Sequence, residues 1–523
     1  MFPRLVAVAS LVLSAFLFQP VTAQDADDWR ATSSRVDELL AAKWKVAVVE
    51  PGKPATDAQF LRRAYLDLTG VIPSPGEVRA FLADDKPNKR ARLIEKLLDK
   101  PNHATHLANA WRDVMLPRTN NNNQLQFGRT AVFDRWLRGH FVDNTPYDKI
   151  VRELLTTGGQ VNQTGPVLYY TTLELKPEKL AASTSEIFLG VQIQCAQCHD
   201  HPFDKWKQKD FWGYAAFFAR LQQPAAQQRA AFRVVEGTAG EVKLPDSDEV
   251  VPPKFLDAKE IAADSGIARR VQLADWITSP ENPYFARATV NRAWSMLFGY
   301  GLVDPVDDFG DHNPPSHPKL LDELAADFAE HDFNLRRLFR VLANTRAYSL
   351  TSEVIAGESV DPRLFSRMSI KSLSPEQVYD CLSEAVRLRE AVGNTGATSA
   401  FGRQLDQRKQ AFLAKFEAPA QRRTEFQSGI PQALTMMNGQ FLVTATDVSR
   451  SDILAALIDA SFFTNEERVE VLFLSALARF PEKAEREKFV AYVKTGGPTK
   501  DSKQALSDVL WALLNSSEFM LNH

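Results

Sequence analysis

Cys195-Ala196-Gln197-Cys198-His199 carries the densest chemistry in this chain. Two thiols separated by two residues, with an imidazole directly after, have the spacing that haem c attachment needs. The thiols add to the two vinyl groups of the porphyrin, and the adjacent histidine, here His199, becomes an axial metal ligand of the haem iron. With three cysteines and nine histidines in 523 residues, such a run arises by chance in roughly 3 of 10,000 chains. Chance is therefore a poor explanation, and one covalent haem c is the leading expectation. Three other chemistries remain open to the same residues. A zinc site would use Cys195, Cys198, His201 and one distant group, although no second CxxC or HxxxH pair occurs. A thiol–disulfide centre normally opens a helix in a βαβ unit, and no such unit is legible. A structural disulfide needs only the two thiols.

A second candidate site lies in "DDFGDHNPPSHPKLLDELA". Asp308, Asp311, His312 and His317 gather acid and imidazole that could bind metal, line a substrate cleft, or belong to a capped interdomain loop. Ser316 is expected to cap the helix that starts at Pro318. His103 and His106, three apart in "NHATHLANAW", read as joint ligands or as two surface histidines on one turn. Cys381, in "SPEQVYDCLSEAV", fits the buried face of a helix. No Ser-His-Asp nucleophile motif, phosphate-cradling glycine loop, HExxH or EF-hand pattern is visible.

The elements that must position these groups are mostly helices. "KPEKLAASTSEIFLG" predicts a helix from about Pro177 to Leu189 that ends at Gly190 and leads into the thiols. After them, "KDFWGYAAFFARL" places Phe211, Tyr214, Ala215 and Phe218 on one helical face, as a cofactor pocket or as ordinary core. "LIEKLLDKP" ends with a proline stop, and Thr464 with Glu467 forms a capping box. Leu506, Val509, Leu510, Leu513 and Leu514 recur at helical spacing. The strand signals are "GPVLYYTTLEL" and "AAFRVVEGTAGEVKLP", the second expected as a small hairpin around Gly237 to Gly240. "RTNNNNQLQFG" and residues 392–402 read as loops. The expected fold is mainly α, with two helical domains and a small β-hairpin element near the linker. Residues 27–237 are expected as one domain that carries the CxxCH run, the proline- and acid-rich stretch 238–265 as the linker, and 266–523 as a second helical domain.

Residues 1–23 read as a secretory signal. Arg4 precedes a charge-free run from Leu5 to Phe18, and Val21-Thr22-Ala23 offers the small residues of a cleavage site. That apolar run is shorter than the roughly 20 residues that span a bilayer, so no integral membrane segment is expected after cleavage. Cleavage leaves 61 basic against 65 acidic residues, a balance that argues against a nucleic-acid partner. An exported, periplasmic or extracellular protein is the expectation, which suits haem c attachment outside the cytoplasm.

"CAQCHDHPFDKWKQKDFWGYAAFFARL" closely resembles the signature of a large family of exported planctomycete-type proteins. Those proteins combine two domains of unknown function, the first described as cytochrome-c-like. "FLRRAYLDLTGVIPSPGEVRAFL" resembles the family's N-terminal signature, and residues 273–325 resemble the opening of its second domain. "FQSGIPQALTMMNGQFL" and "DVLWALLNSSEFM" resemble later motifs, so the likeness spans nearly the whole mature chain. Related sequences carry histidine two residues after the tryptophan of a motif beginning Asn-Arg, where "NRAWSMLFG" has Met296. Methionine is a common distal haem ligand, so Met296 is the first candidate for the sixth position and His317 the second.

Three functions fit these readings. One is a mono-haem electron-transfer protein that serves a redox partner. Another is a haem-dependent oxidoreductase acting on an extracellular, carbohydrate-like substrate, with acid–base groups from 308–317. The third is a non-catalytic scaffold or binding protein in which the CxxC is a disulfide or metal clip.

Overall fold

The computed structural model describes residues 28–116, 124–160, 163–222, 233–257, 266–353, 360–387, 409, 411–413, 436–437 and 439–523. The expected signal at 1–23, Asn120 to Asn123, the loop at 392–402 and most of the 426–442 motif lie outside the described residues.

The chain is mainly helical, with three antiparallel two-residue strand pairs among the described residues. Asp28–Ala47 (α1), Asp57–Thr69 (α2), Pro75–Leu82 (α3), Lys89–Leu98 (α4) and Pro101–Met115 (α5) open the fold. Gln124–Val142 (α6), Tyr147–Thr156 (α7), Val167–Thr172 (α8), Pro177–Thr184 (α9) and Gln208–Ala215 (α10) complete the first half. Arg269–Ile277 (α11), Phe285–Phe298 (α12), Pro318–Glu330 (α13), Leu335–Ala343 (α14) and Pro375–Ala385 (α15) follow. Helices Gln440–Ala445, Asp452–Asp459, Asn465–Leu477, Lys483–Thr495, Ser502–Leu514 and Ser517–Met520 come last.

Local signals explain many boundaries. Thr56 and Gln59 form a capping box on α2, which stops at Gly70 in the left-handed region (φ 72°). Pro101 ends the approach from α4 and starts α5 at its first turn. The expected Thr464–Glu467 box is present, with the Thr464 hydroxyl accepting from the Glu467 amide.

Two strand expectations fail. Residues 167–172 form helix α8, because Tyr169 and Tyr170 are buried and their hydroxyls reach Thr184 Oγ1 (2.9 Å) and the Leu155 carbonyl (2.5 Å). Such tertiary contacts override the β preference of an aromatic and threonine-rich run. The hairpin about Gly237 to Gly240 does not close on itself. Arg233–Val234 (β2) pairs instead with Gly159–Gln160 (β1). Val242–Lys243 (β3) pairs with Val250–Val251 (β4), which makes the small hairpin near the linker. The third pair joins Lys371–Ser372 (β5) to Leu521–Asn522 (β6).

The main hydrophobic core runs from Trp29 to Ala478 and takes residues from both sides of 238–265. Helix α1 packs on α13 and α14. There Ser33 Oγ donates to the Val341 carbonyl (2.8 Å) and Trp44 Nε1 to the Leu364 carbonyl (2.6 Å). A second core joins Leu66 and Ile72 to α15 and the C-terminal helices, and holds Cys381 fully buried. Burial pushes the Cys381 thiol up to about 12, so it stays protonated.

Helix α2 links these layers. Its Arg62 and Arg63 are buried and donate to carbonyls, although Arg62 Nε and Arg63 Nη2 find no acceptor among the described residues. Arg62 donates to Ala476 (3.1 Å) and Phe519 (2.9 Å), and Arg63 to Tyr348 (2.6 Å) and Leu350 (2.8 Å). The "FLRRAYLDLTG" signature is therefore a structural tie between the start and the end of the chain.

Candidate functional site

Helix α9 continues into a wider π turn, Ser185–Leu189, and stops at Gly190. Gly190 has φ +69°, and a Cβ there would stand 2.5 Å from the Phe309 ring, so only glycine fits. The Phe309 amide donates to the Gly190 carbonyl (2.8 Å), which pins the 307–310 loop to the approach of the thiols. The helix stop predicted at Gly190 is thus observed, and its cause is this close passage.

A short 3₁₀ turn, Gln194–Gln197, then presents the run. Ile193 and Ala196 point into the core, whereas Cys195, Cys198 and His199 are exposed. Both thiols are free rather than joined in a disulfide. His199 Nδ1 lies 2.7 Å from the Asp200 backbone oxygen. A carbonyl can only accept, so Nδ1 carries a hydrogen, and in the neutral ring Nε2 carries the lone pair. That is the tautomer a metal-ligating histidine needs, with its other nitrogen oriented by a carbonyl. The donor set therefore fits haem c attachment. His201 is oriented the other way. Its Nδ1 accepts from the Phe203 amide (3.3 Å), and its own amide donates to the Trp206 carbonyl (2.8 Å).

Helix α10 holds the turn by two side chains absent from the sequence reading. Gln208 Nε2 donates to the Cys198 carbonyl (2.8 Å), and Trp212 Nε1 donates to the Gln197 carbonyl (3.1 Å). They are four residues apart, on one face of α10, and that spacing was the available signal. Phe211, Tyr214, Ala215 and Phe218 are fully buried in the core behind the turn. The aromatic stripe is thus core.

The 308–312 loop sits on the segment that follows His199. A Cβ at Gly310 would stand 2.7 Å from Asp204 Oδ2 and 2.5 Å from His312 Cε1. His312 Nε2 pairs with Asp308 Oδ1 at 3.0 Å. Lys205 and the Tyr284 hydroxyl both reach Asp257, the lysine at 2.6 Å. Partial burial and the neighbouring Asp257 carboxylate hold the Tyr284 phenol above its ordinary range. Arg292 bridges Asp307 and the Ile187 carbonyl, while burial and Asp307 raise the Glu186 carboxyl. Of the expected second site, Asp308 and His312 therefore stand together near the thiol loop, with Asp311 exposed beside them.

The two distal candidates are held elsewhere. Residues Ala288 and Arg292 of α12 face the Gly190 loop. Met296 lies eight residues beyond Ala288, about 12 Å along the helix axis. Its carbonyl accepts from Lys371 (3.1 Å), and its side chain packs on the main core. His317 is buried against Phe365 (5.5 Å between ring centres), which itself packs on Trp294 and Phe298 of the same α12 end. Burial, helped by nearby Lys43, pulls His317 down to about 4. Ser316 does not cap α13. Its hydroxyl and amide both bond the Leu302 carbonyl, and His317 takes the cap position. His103 and His106 are buried in α5, not on the surface. His103 Nδ1 donates to the Leu68 carbonyl (2.7 Å), and burial pulls its pKa to about 4.

Among the described residues, no group of three or more His, Cys, Asp and Glu side chains is arranged to hold a metal ion. No described helix is long and apolar enough to cross a membrane. Residues 35–223 match the family PSCyt2, described as a protein of unknown function (DUF1549). Residues 269–493 match PSD1, likewise described as a protein of unknown function (DUF1553). The chain thus carries the two in tandem, the arrangement of a two-domain family of unknown function. No curated protein and no solved structure matches it.

Proposed function

We propose that this is an exported mono-haem protein that carries one covalent haem c and passes electrons to a redox partner. Cys195 and Cys198 would form the thioethers, and His199 would bind the iron through Nε2. The observation that carries this reading is the pairing of two free, exposed thiols with a histidine whose Nδ1 is committed to a carbonyl. Bound there, the haem would supply reversible one-electron transfer. Gln208 and Trp212 would keep the turn in place, and Gly190 lets the second half of the chain close on it.

Met296 and His317 are the candidate sixth ligands, and either would have to leave its packing at the far end of α12 to serve. A second reading follows from that placement. With the sixth position open, Asp308 and His312 near Asp204 could handle protons for a haem-dependent oxidation of an extracellular substrate, a carbohydrate among the candidates.

The test is peptide mass spectrometry with a pyridine haemochrome spectrum on protein exported from a strain able to attach haem c. Covalent haem on the 195–198 peptide supports the proposal. No haem adduct on that peptide and no Soret band would leave the non-catalytic scaffold with a disulfide or metal clip. A six-coordinate, low-spin spectrum that Met296→Ala converts to high spin assigns Met296. An unchanged spectrum removes it.

A further inference from the structure

Helix α2 meets the β5–β6 pair around a buried polar cluster that the redox reading does not use. Lys371 and Asn522 stand directly opposite one another in the antiparallel register. Cβ atoms in such a pair are about 5 Å apart, on one face. Lys371 Nζ lies 2.6 Å from Asp67 Oδ1, and Asn522 Nδ2 donates to that same oxygen at 2.7 Å. The Tyr348 hydroxyl holds the other carboxylate oxygen at 3.0 Å. Asp67, Lys371 and Asn522 are at most 3% exposed.

An ion pair alone accounts for Asp67 and Lys371. It does not account for an asparagine in register with the amine, its nitrogen on the same carboxylate oxygen. Nor does it account for Asn522 Oδ1, which is buried without a hydrogen-bond partner among the described residues. Buried amide oxygens are rarely left so. An amine, a carboxamide and a bridging carboxylate enclosed away from water are the complete set for amide exchange.

We propose that Lys371 and Asn522 join in an intramolecular isopeptide bond, with Asp67 as the proton-transfer group. Lys371 gives a proton to Asp67, and the freed Nζ lone pair attacks Asn522 Cγ. The Nζ–Cγ bond forms and the Cγ–Nδ2 bond breaks. Of the three hydrogens on the starting ammonium, one stays on the new amide and one passes to Nδ2, which leaves as ammonia. The third, held by Asp67, departs with it to give ammonium. No oxidant, reductant or cofactor is consumed. Fixed register supplies the proximity that such a step needs. The product would tie the chain end covalently to β5, across the second core.

The experiment is a denaturing digest of the full-length, natively produced protein, followed by mass spectrometry. The expected result is the Lys371 peptide joined to the Asn522 peptide, lighter than their sum by one ammonia. Both peptides found linear in the wild-type protein would overturn the proposal, whatever the haem content. Lys371→Arg and Asn522→Ala should each abolish the joined species. Folded Asp67→Asn should show linear peptides; joining at the wild-type extent would overturn the role given to Asp67. If Asp67→Asn does not fold, the wild-type digest decides alone.

Discussion

At the surface, Cys195 on a short 3₁₀ turn and Cys198 and His199 just after it face solvent, held from behind by two side chains of α10. Beneath α2, Asp67, Lys371 and Asn522 meet where water does not reach, brought together from three distant parts of the chain. The contrast separates two uses of reactive groups. Exposed groups can be exchanged at little cost to the fold, and their chemistry awaits something from outside. Buried charges must be matched inside the fold, because removal of one partner leaves the other desolvated.

The sharpest way to break this comparison is Asp67→Ala. It takes the counter-charge from the buried Lys371 ammonium, which keeps its Met296 and Leu297 carbonyl contacts, and the acceptor from the Tyr348 hydroxyl, and should cost about 3–5 kcal/mol in denaturant unfolding. A loss below about 1 kcal/mol would mean that the cluster is not the tie described here.

The next effect is pH dependence. His103 and His317 are held neutral with pKa values near 4, against about 6.5 in the unfolded chain. Between those values the unfolded state binds more protons, so stability falls as pH drops from about 6.5 to 4 and levels off below that. The slope should be roughly 1.4 kcal/mol per pH unit for each histidine, read from unfolding midpoints. His103→Gln should lower that slope by its own share.

The smallest effect on stability belongs to the site itself. Cys195→Ser should shift unfolding by no more than about 0.5 kcal/mol, measured without haem, because the side chain is exposed. A large loss would make the thiol a structural element and favour the scaffold reading.

The same contrast governs what was legible in the sequence. The CxxCH run was visible because its chemistry is adjacent in the chain, and Gly190 marked the end of the helix before it. Capping at Thr464 and the proline start at Pro101 were equally local. The Asp67 cluster was not visible, since its members are separated by 304 and 455 positions and share no spacing. Residues 167–172 were misread because aromatic and threonine content speaks for a strand until Tyr169 and Tyr170 find buried acceptors. Residues 233–234 and 242–243 form strands as expected, but they pair with β1 and β4 instead of with each other. Ser316 looked like a cap, yet its hydroxyl is taken by Leu302. His103 and His106 read as joint ligands or as surface histidines, whereas α5 is buried on the face that carries them, a property of packing rather than of the local run.

The measurement that bears most directly on the central claim is the mass of the peptide holding Cys195 and Cys198, taken from natively exported protein with its haemochrome spectrum. The account predicts one haem bound through two thioethers, and loss of the haem iron's proximal ligand field in His199→Ala. Free thiols or a simple disulfide at Cys195 and Cys198, without a haem spectrum, would contradict it.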